Sequence, residues 1–331
     1  MKNILLVGGS GFVGYHITDY FISKKLAEKV FIFDIVEPIN DQTNKLHIGE
    51  NKLIFKKIDV RKPLPKSKIK YDLIINLAAV HREPGHMPNE YYETNIKGSE
   101  NVINFALENE CENLIFFSSI SAYGPTENKK DEYSLTMPET PYGISKLISE
   151  NIHKTWAHEK NKLLIVRPGV IYGKYEKGNV TRMIKAIKNR YFFYTGNQKI
   201  FKSGIYIKEI CNFLDWYLFT NFTKDNTTIA NLTMKPIPRL ENYVDSICSA
   251  LKRRSSILNL PHFLLQLFSH IINIPFVFTK KKNPFDPVRV KKLKYSNTIY
   301  PTKLSEMGYV EKYNIDSSFE HWKNDDEKLW K

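Results

Sequence analysis

The first half of the chain alternates short apolar runs with longer stretches in which apolar residues recur every three or four positions. Ile4–Val7, Val30–Phe33, Leu53–Ile58, Leu73–Leu77 and Leu114–Ser118 read as strands, and Leu163–Arg167 continues the series. Between them, Gly14–Lys24, Tyr91–Glu108 and Tyr142–Glu159 carry a helical period. Alternation of this kind predicts an α/β fold, a doubly wound parallel sheet covered by helices on both faces. After Arg167-Pro168-Gly169 the rhythm changes to loops, aromatic segments and helices, with strands expected at Gly204–Ile207 and Thr228–Leu232. Residues 1–170 therefore form the sheet domain, with late sheet elements from about 204–232. Residues 171–203 and 233–331 form a smaller, mostly C-terminal region beside it.

Charge and cysteine usage change this picture little. The net charge of +14 raises the question of a nucleic-acid partner, but the lysines are spread along all 331 residues without a nucleic-acid motif, so none is expected. A basic surface also attracts anionic small molecules. Cys111, Cys211 and Cys248 show no paired or metal-like spacing, and no His/Cys/Asp cluster suggests a metal. The sequence opens on an apolar strand with no cleavable signal, so a reducing, cytoplasmic setting is expected and the Asn-x-Thr triplets at Asn221, Asn226 and Asn231 carry no glycan. Ile257–Thr279 is apolar and flanked by Arg253-Arg254 and Lys280–Lys282, but Pro261, His262, Gln266, His270, Asn273 and Pro275 interrupt it. A spanning helix is not expected. A buried helical pair is the default, with peripheral membrane contact as the lesser alternative.

The chemistry begins directly after the first strand, at Gly8-Gly9-Ser10-Gly11-Phe12-Val13-Gly14. Glycine at 8, 11 and 14 permits a tight turn, close backbone approach to a pyrophosphate, and close packing of helix on strand. The helix N-terminus behind it favours phosphate. About twenty residues on, Asp34 ends the second strand, where a carboxylate accepts hydrogen bonds from an adenosine ribose. Ile35, Val36 and Glu37 follow, with no cation for a 2′-phosphate. A Rossmann-type dinucleotide site with NAD, rather than NADP, is the expectation.

A second constellation lies further along. Ser119 ends a strand, and Tyr142 precedes Lys146 by one helical turn. A tyrosine serves as a general base near neutral pH only if its pKa falls, and a lysine on the same helix face supplies positive charge for that. With Asp59-Val60, Asn76-Leu77-Ala78-Ala79, Asn95-x-x-Gly98, Ser118–Gly124, Pro141–Lys146 and Arg167–Gly173 in order, the chain resembles the extended short-chain dehydrogenase/reductase family, which contains nucleotide-sugar epimerases and dehydratases. The resemblance implies that Ser119, Tyr142 and Lys146 are catalytic. It implies cofactor contacts from Gly8, Gly11, Phe12, Val13, Gly14, Asp34, Asp59, Val60, Leu77, Ala78, Ala79, Asn95, Tyr142 and Lys146.

The same resemblance narrows the reaction. Family dehydratases carry Asp-Glu directly after the catalytic residue, decarboxylases a Glu at the first of those places, and 3,5-epimerases a Cys near the second. Here these places hold Ile120 and Ser121. What remains is 4-epimerisation, with a reductase or dehydrogenase as the alternative and a non-catalytic NAD-binding protein behind both. A nucleotide-sugar substrate is expected to meet His81, Ser119, Asn179, Val180, Lys202 and Arg289. A homodimer is left open.

Overall fold

The computed structural model describes residues 1–83, 85–126, 128–158, 160–195, 197–220, 225–253, 257–260 and 295–331. The chain starts with β1 (Asn3–Val7), α1 (Phe12–Ser23), β2 (Lys29–Asp34), α2 (Gln42–Gly49), β3 (Leu53–Lys57) and β4 (Leu73–Asn76). Next, α3 (Pro88–Tyr91) runs through a π-helical turn (Tyr92–Ile96) into α4 (Lys97–Glu108) and β5 (Asn113–Phe117). A 3-10 turn (Ile120–Tyr123), α5 (Pro141–Trp156) and β6 (Lys162–Pro168) complete the first half. Beyond them lie β7 (Val170–Tyr172), α6 (Asn179–Lys188), β8 (Tyr194–Thr195), β9 (Gly204–Tyr206), α7 (Ile207–Thr220), β10 (Thr227–Leu232), α8 (Leu240–Ala250) and β11 (Asn259–Leu260). Three C-terminal helices follow: α9 (Thr302–Glu306), α10 (Ile315–Asp325) and α11 (Glu327–Trp330).

Seven strands form one parallel sheet in the order β10-β6-β5-β4-β1-β2-β3. In β1, Ile4, Leu5, Leu6 and Val7 are all fully buried, as a central strand with both faces covered requires. Alternate residues enter opposite layers: Ile4 and Leu6 pack with Ile17 and Phe21, while Leu5 and Val7 pack with Phe33, Val102 and Phe105. The doubly wound α/β arrangement read from the sequence is therefore present.

One strand departs from expectation. Gly204–Tyr206 does form β9, but it pairs with β7 in a separate two-stranded sheet rather than joining the central one. The chain leaves β6 at Gly169, where it presses so closely on the Ser203 carbonyl that an added Cβ would lie 2.5 Å from it. Only Thr227–Leu232 extends the main sheet. Asn231, in that strand, is fully buried and accepts from the Tyr123 hydroxyl at 2.9 Å, so its triplet offers no surface to a glycan. Asn221, Arg289 and most of Ile257–Thr279 lie outside the described residues. Among the described residues, no helix is long and apolar enough to cross a membrane, and no group of side chains could hold a metal.

Two buried carboxylates fix the larger pieces. Glu209 on α7 accepts from the Lys312 and Tyr313 backbone amides at 3.1 and 2.9 Å and from the Tyr309 hydroxyl, tying the C-terminal segment to the sheet side. Glu150 on α5 receives the Arg167 guanidinium as a fork, at 2.8 and 2.6 Å, and the Ser118 hydroxyl at 2.5 Å. Both members of the pair are essentially without solvent, and Arg167 also lies 4.7 Å from the centre of the Tyr123 ring. Removing one partner strands a charge in the interior. Arg167→Met should therefore cost about 3–5 kcal/mol of unfolding free energy in urea denaturation, whereas the double change Glu150→Leu/Arg167→Met should recover most of that loss.

Candidate active site

In a parallel sheet the C-terminal ends of all strands share one edge, and here the turn after β1 and the ends of β2, β4 and β5 meet the start of α5 there. Gly8 has φ +75°, and an added Cβ would lie 2.5 Å from the Ala78 backbone. Gly14 lies so close to the Gly9 carbonyl that a Cβ would collide with it at 2.1 Å. By contrast, a Cβ on Gly11 would meet nothing within 4 Å. Gly11 caps α1 without a side-chain hydrogen bond, so the first amides of that helix have no side-chain acceptor. Ser10 Oγ is buried and unpartnered. A bare helix N-terminus behind an open glycine and an orphan hydroxyl fits a pyrophosphate. Phe12 and Val13 turn partly into the core beneath.

Asp34, at the end of β2, accepts from the Ser10 amide at 3.0 Å and the Val36 amide at 3.2 Å, which aims its carboxylate back at the glycine turn. Asp59 is held by Arg61 through a bond of 2.6 Å, a partner the sequence reading did not include. Val60 is buried against Gly98, and its carbonyl accepts from Asn101, so only its backbone could serve a cofactor.

The loop after β4 is bolted to α5. Asn76 Oδ1 accepts from the Ala78 amide at 3.2 Å, and its Nδ2 lies 3.2 Å from His153 Nε2. The Leu77 amide continues the sheet by donating to Val7 O, and Ala79 follows in the same loop. Asn95, in the π-helical turn, accepts from the Val80 amide at 2.8 Å and donates to Val80 O and to Ser145 Oγ. His153, which no sequence motif singles out, stacks on Phe116 with centroids 4.0 Å apart, and burial pushes its pKa down to about 3. It is therefore neutral.

Ser119, Tyr142 and Lys146 come together from the end of β5 and the first two turns of α5, which starts at an N-capping Thr140 with Pro141 behind it. Burial pushes the Tyr142 hydroxyl up to about 12, only partly offset by the nearby Ser119 hydroxyl, which favours the phenolate. Lys146 donates to the Phe117 carbonyl at 2.7 Å and sits 4.9 Å from the centre of the Phe116 ring. Burial pushes it down to about 7, while Glu150 one turn away holds it up. The expectation that Lys146 lowers the Tyr142 pKa is thus not met, because the ammonium is turned to the backbone rather than to the phenol.

The residues assigned to substrate divide. His81 stands exposed beside the Asn76–Ala79 loop. Asn179 begins α6 and accepts from Arg182 at 2.6 Å. Val180 must be corrected as a side-chain contact: it is 4% exposed and packs in the core, because the amphipathic α6 turns it inward. Lys202 donates to the Tyr295 carbonyl at 2.8 Å, and burial lowers its pKa to about 8.

The family model described as NAD dependent epimerase/dehydratase family matches residues 4–229, and the chain belongs to that family. Its cofactor is NAD. The chain is 27% identical to the N-acetyl-alpha-D-glucosaminyl-diphospho-ditrans,octacis-undecaprenol 4-epimerase of Escherichia coli O157:H7, over 98% of this chain and 97% of that one. It is 32% identical to UDP-glucose 4-epimerase 2 of Arabidopsis thaliana, over 46% of each chain. Among solved structures, the UDP-glucuronic acid 4-epimerase of Bacillus cereus in complex with NAD superposes with a TM-score of 0.75 over the whole of both chains, at 18% identity.

Two measurements follow from this site. A 2′-phosphate would meet the Asp34 carboxylate, so NADP should bind far more weakly than NAD by calorimetric titration, and Asp34→Ala should narrow the gap. Lys146 is destabilising to the apoprotein: a folded pKa of about 7 against an ordinary 10.5 means that the unfolded chain holds its proton more tightly. The penalty is complete below pH 7 and disappears above 10.5. Lys146→Met should therefore raise apoprotein stability by about 2–4 kcal/mol below pH 7, after loss of the Phe117 bond, with the gain shrinking towards pH 10.5.

Proposed function

We propose that the protein is a sugar 4-epimerase acting on a substrate whose sugar is carried on a diphosphate. The observation that carries this reading is the convergence of Ser119, Tyr142 and Lys146 beside the glycine turn, with no further acid or base where an elimination would need them. Ile120 is buried and apolar, and the Ser121 amide is spent on Ser119 Oγ at 3.1 Å. Full-length similarity to a 4-epimerase supports the same class.

In this reading bound NAD would supply a reversible hydride acceptor at carbon 4 of the sugar, and this chain's own residues hold the sugar and move the proton. Tyr142 takes the hydroxyl proton as the C4–H bond breaks, leaving a 4-ketone, and gives it back when the alcohol re-forms. Burial holds Tyr142 as a phenol, so the acceptor form requires positive charge beside it. Lys146, one turn away on α5, would supply that charge by turning its ammonium from the Phe117 carbonyl toward the phenol. Ser119 holds the reacting oxygen in line with Tyr142. Gly8, Gly11, Gly14, Asp34, the Asn76–Ala79 loop, Asp59 and Val60 would hold the dinucleotide. His81, Asn179 and Lys202 surround the substrate. No group beyond these is needed, since the ketone only has to turn over between the two hydride transfers.

Wild-type protein should interconvert two 4-epimeric sugar diphosphates with no net consumption of added NAD, as product analysis would show. Stoichiometric use of reduced cofactor would identify a reductase instead. Tyr142→Phe removes one hydroxyl and leaves the ring and Lys146 in place, so bound NAD should persist while turnover falls about 10²–10⁴-fold. Full activity in that variant would remove Tyr142 from the mechanism.

A further inference from the structure

The surface around Tyr142 is unusual in what it exposes. Among the described residues, six large apolar side chains are at least 65% exposed: Met87, Tyr133, Leu135, Met137, Leu258 and Val310. Four of the six stand on the two segments that flank the catalytic tyrosine. Met87 caps α3, and α3 ends at Tyr91, whose ring lies 6.1 Å from that of Tyr142. Tyr133, Leu135 and Met137 lie on the stretch leading into α5, and the Met137 amide donates back to Tyr123 O at 3.4 Å. Beside this stretch opens a cavity of about 630 Å³ lined by Pro125, Asn128, Lys130, Met137, Pro138 and Glu139. Its lining comes from the segment that joins the 3-10 turn after Ser119 to the start of α5, the helix that carries Tyr142.

We infer that this apolar rim receives an isoprenoid chain, so that the substrate is a polyprenyl-diphosphate sugar rather than a nucleotide sugar. The inference rests on the 4-epimerase reading and specifies its carrier. Isolated apolar residues on a surface need no explanation, but a cluster at the mouth of a site marks what that mouth binds. Leu135 and Met137 can offer a nucleoside neither a hydrogen bond nor an aromatic face. An isoprenoid presents a flexible, branched apolar surface, to which an unbranched methionine adapts well. Tyr133 has the amphipathic form suited to a water–lipid boundary: its ring is exposed, while its hydroxyl donates to Glu306 at 2.5 Å. A carrier of this kind resides in a membrane, and a chain of net charge +14 is drawn to an anionic membrane surface. The comparisons agree in extent: similarity to the polyprenol-linked epimerase runs the full length, whereas that to the Arabidopsis thaliana UDP-glucose epimerase covers 46% of the chain.

The test assays NAD-loaded protein on two probes with the same sugar, polyprenyl-diphospho-N-acetylglucosamine in detergent and UDP-N-acetylglucosamine. Wild type should prefer the lipid-linked probe by at least about tenfold in kcat/KM. Leu135→Gln/Met137→Gln changes only exposed side chains, so it should fold normally. It should lose about tenfold or more on the lipid-linked probe, mainly through KM, and remain unchanged on the UDP sugar. Val310→Gln, equally exposed but on the C-terminal segment, should change neither. Epimerisation of the UDP sugar at an equal or higher rate, with an indifferent double variant, would overturn the carrier inference and leave the epimerase standing. Turnover of neither probe by protein carrying NAD would overturn both.

Discussion

The geometry of the site depends on one charge that has no water. Glu150 is wholly enclosed, one helical turn beyond Lys146, and its two oxygens are filled by Arg167 from β6 and Ser118 from the end of β5. A carboxylate in such a place tolerates little displacement, because each lost bond leaves an uncompensated charge in a medium of low dielectric. The pair therefore sets the rotation of α5 about its own axis and its height above the sheet. Tyr142 and Lys146 inherit their positions from it, and Ser119 inherits its position through Ser118. The same carboxylate supports the Lys146 ammonium against the cost of burial, together with the Phe117 carbonyl that accepts from it.

A second constraint acts from beneath. Phe116 contacts both the Lys146 ammonium and the His153 ring, and His153 is fixed by Asn76 and by the Ser149 carbonyl. A protonated imidazole there would put a second cation under the first, and burial prevents it. The floor of the site is thus an aromatic stack that joins the cofactor loop to the catalytic helix without adding charge to either.

Much of this arrangement was legible in the sequence, for identifiable reasons. Central parallel strands are buried on both faces, so Ile4–Val7 and Leu73–Ile75 announce themselves as uninterrupted apolar runs. The glycine turn is readable because backbone contact tolerates no side chain at Gly8 or Gly14. Ser119, Tyr142 and Lys146 stood out through a strand end, a helical turn and the family motifs that contain them. What escaped was anything decided by the direction of a side chain in three dimensions. Glu150 and His153 look like solvated helix residues until their neighbours are known, although Glu150 at four residues from Lys146 shared its face. The burial of the Val180 side chain escaped because helix position alone does not reveal which face is inward. Gly204–Tyr206 has strand character but is turned away from the sheet by the backbone contact at Gly169.

The π-helical turn at Tyr92–Ile96 has a consequence for how this chain can vary. A π turn is an α-helix carrying one residue too many, and such a residue persists where it performs a task. Here the turn presents Asn95, whose side chain clasps Val80 and Ser145 and whose carbonyl receives the hydroxyls of Ser99 and Ser149. Loss of a single residue from this turn would let the helix close into a regular spiral and swing whatever precedes it by about 100° relative to α4. Point substitutions along this helix are local matters, whereas a one-codon deletion would undo the clasp. Lineages descended from this chain should accordingly vary in residue identity here while conserving length.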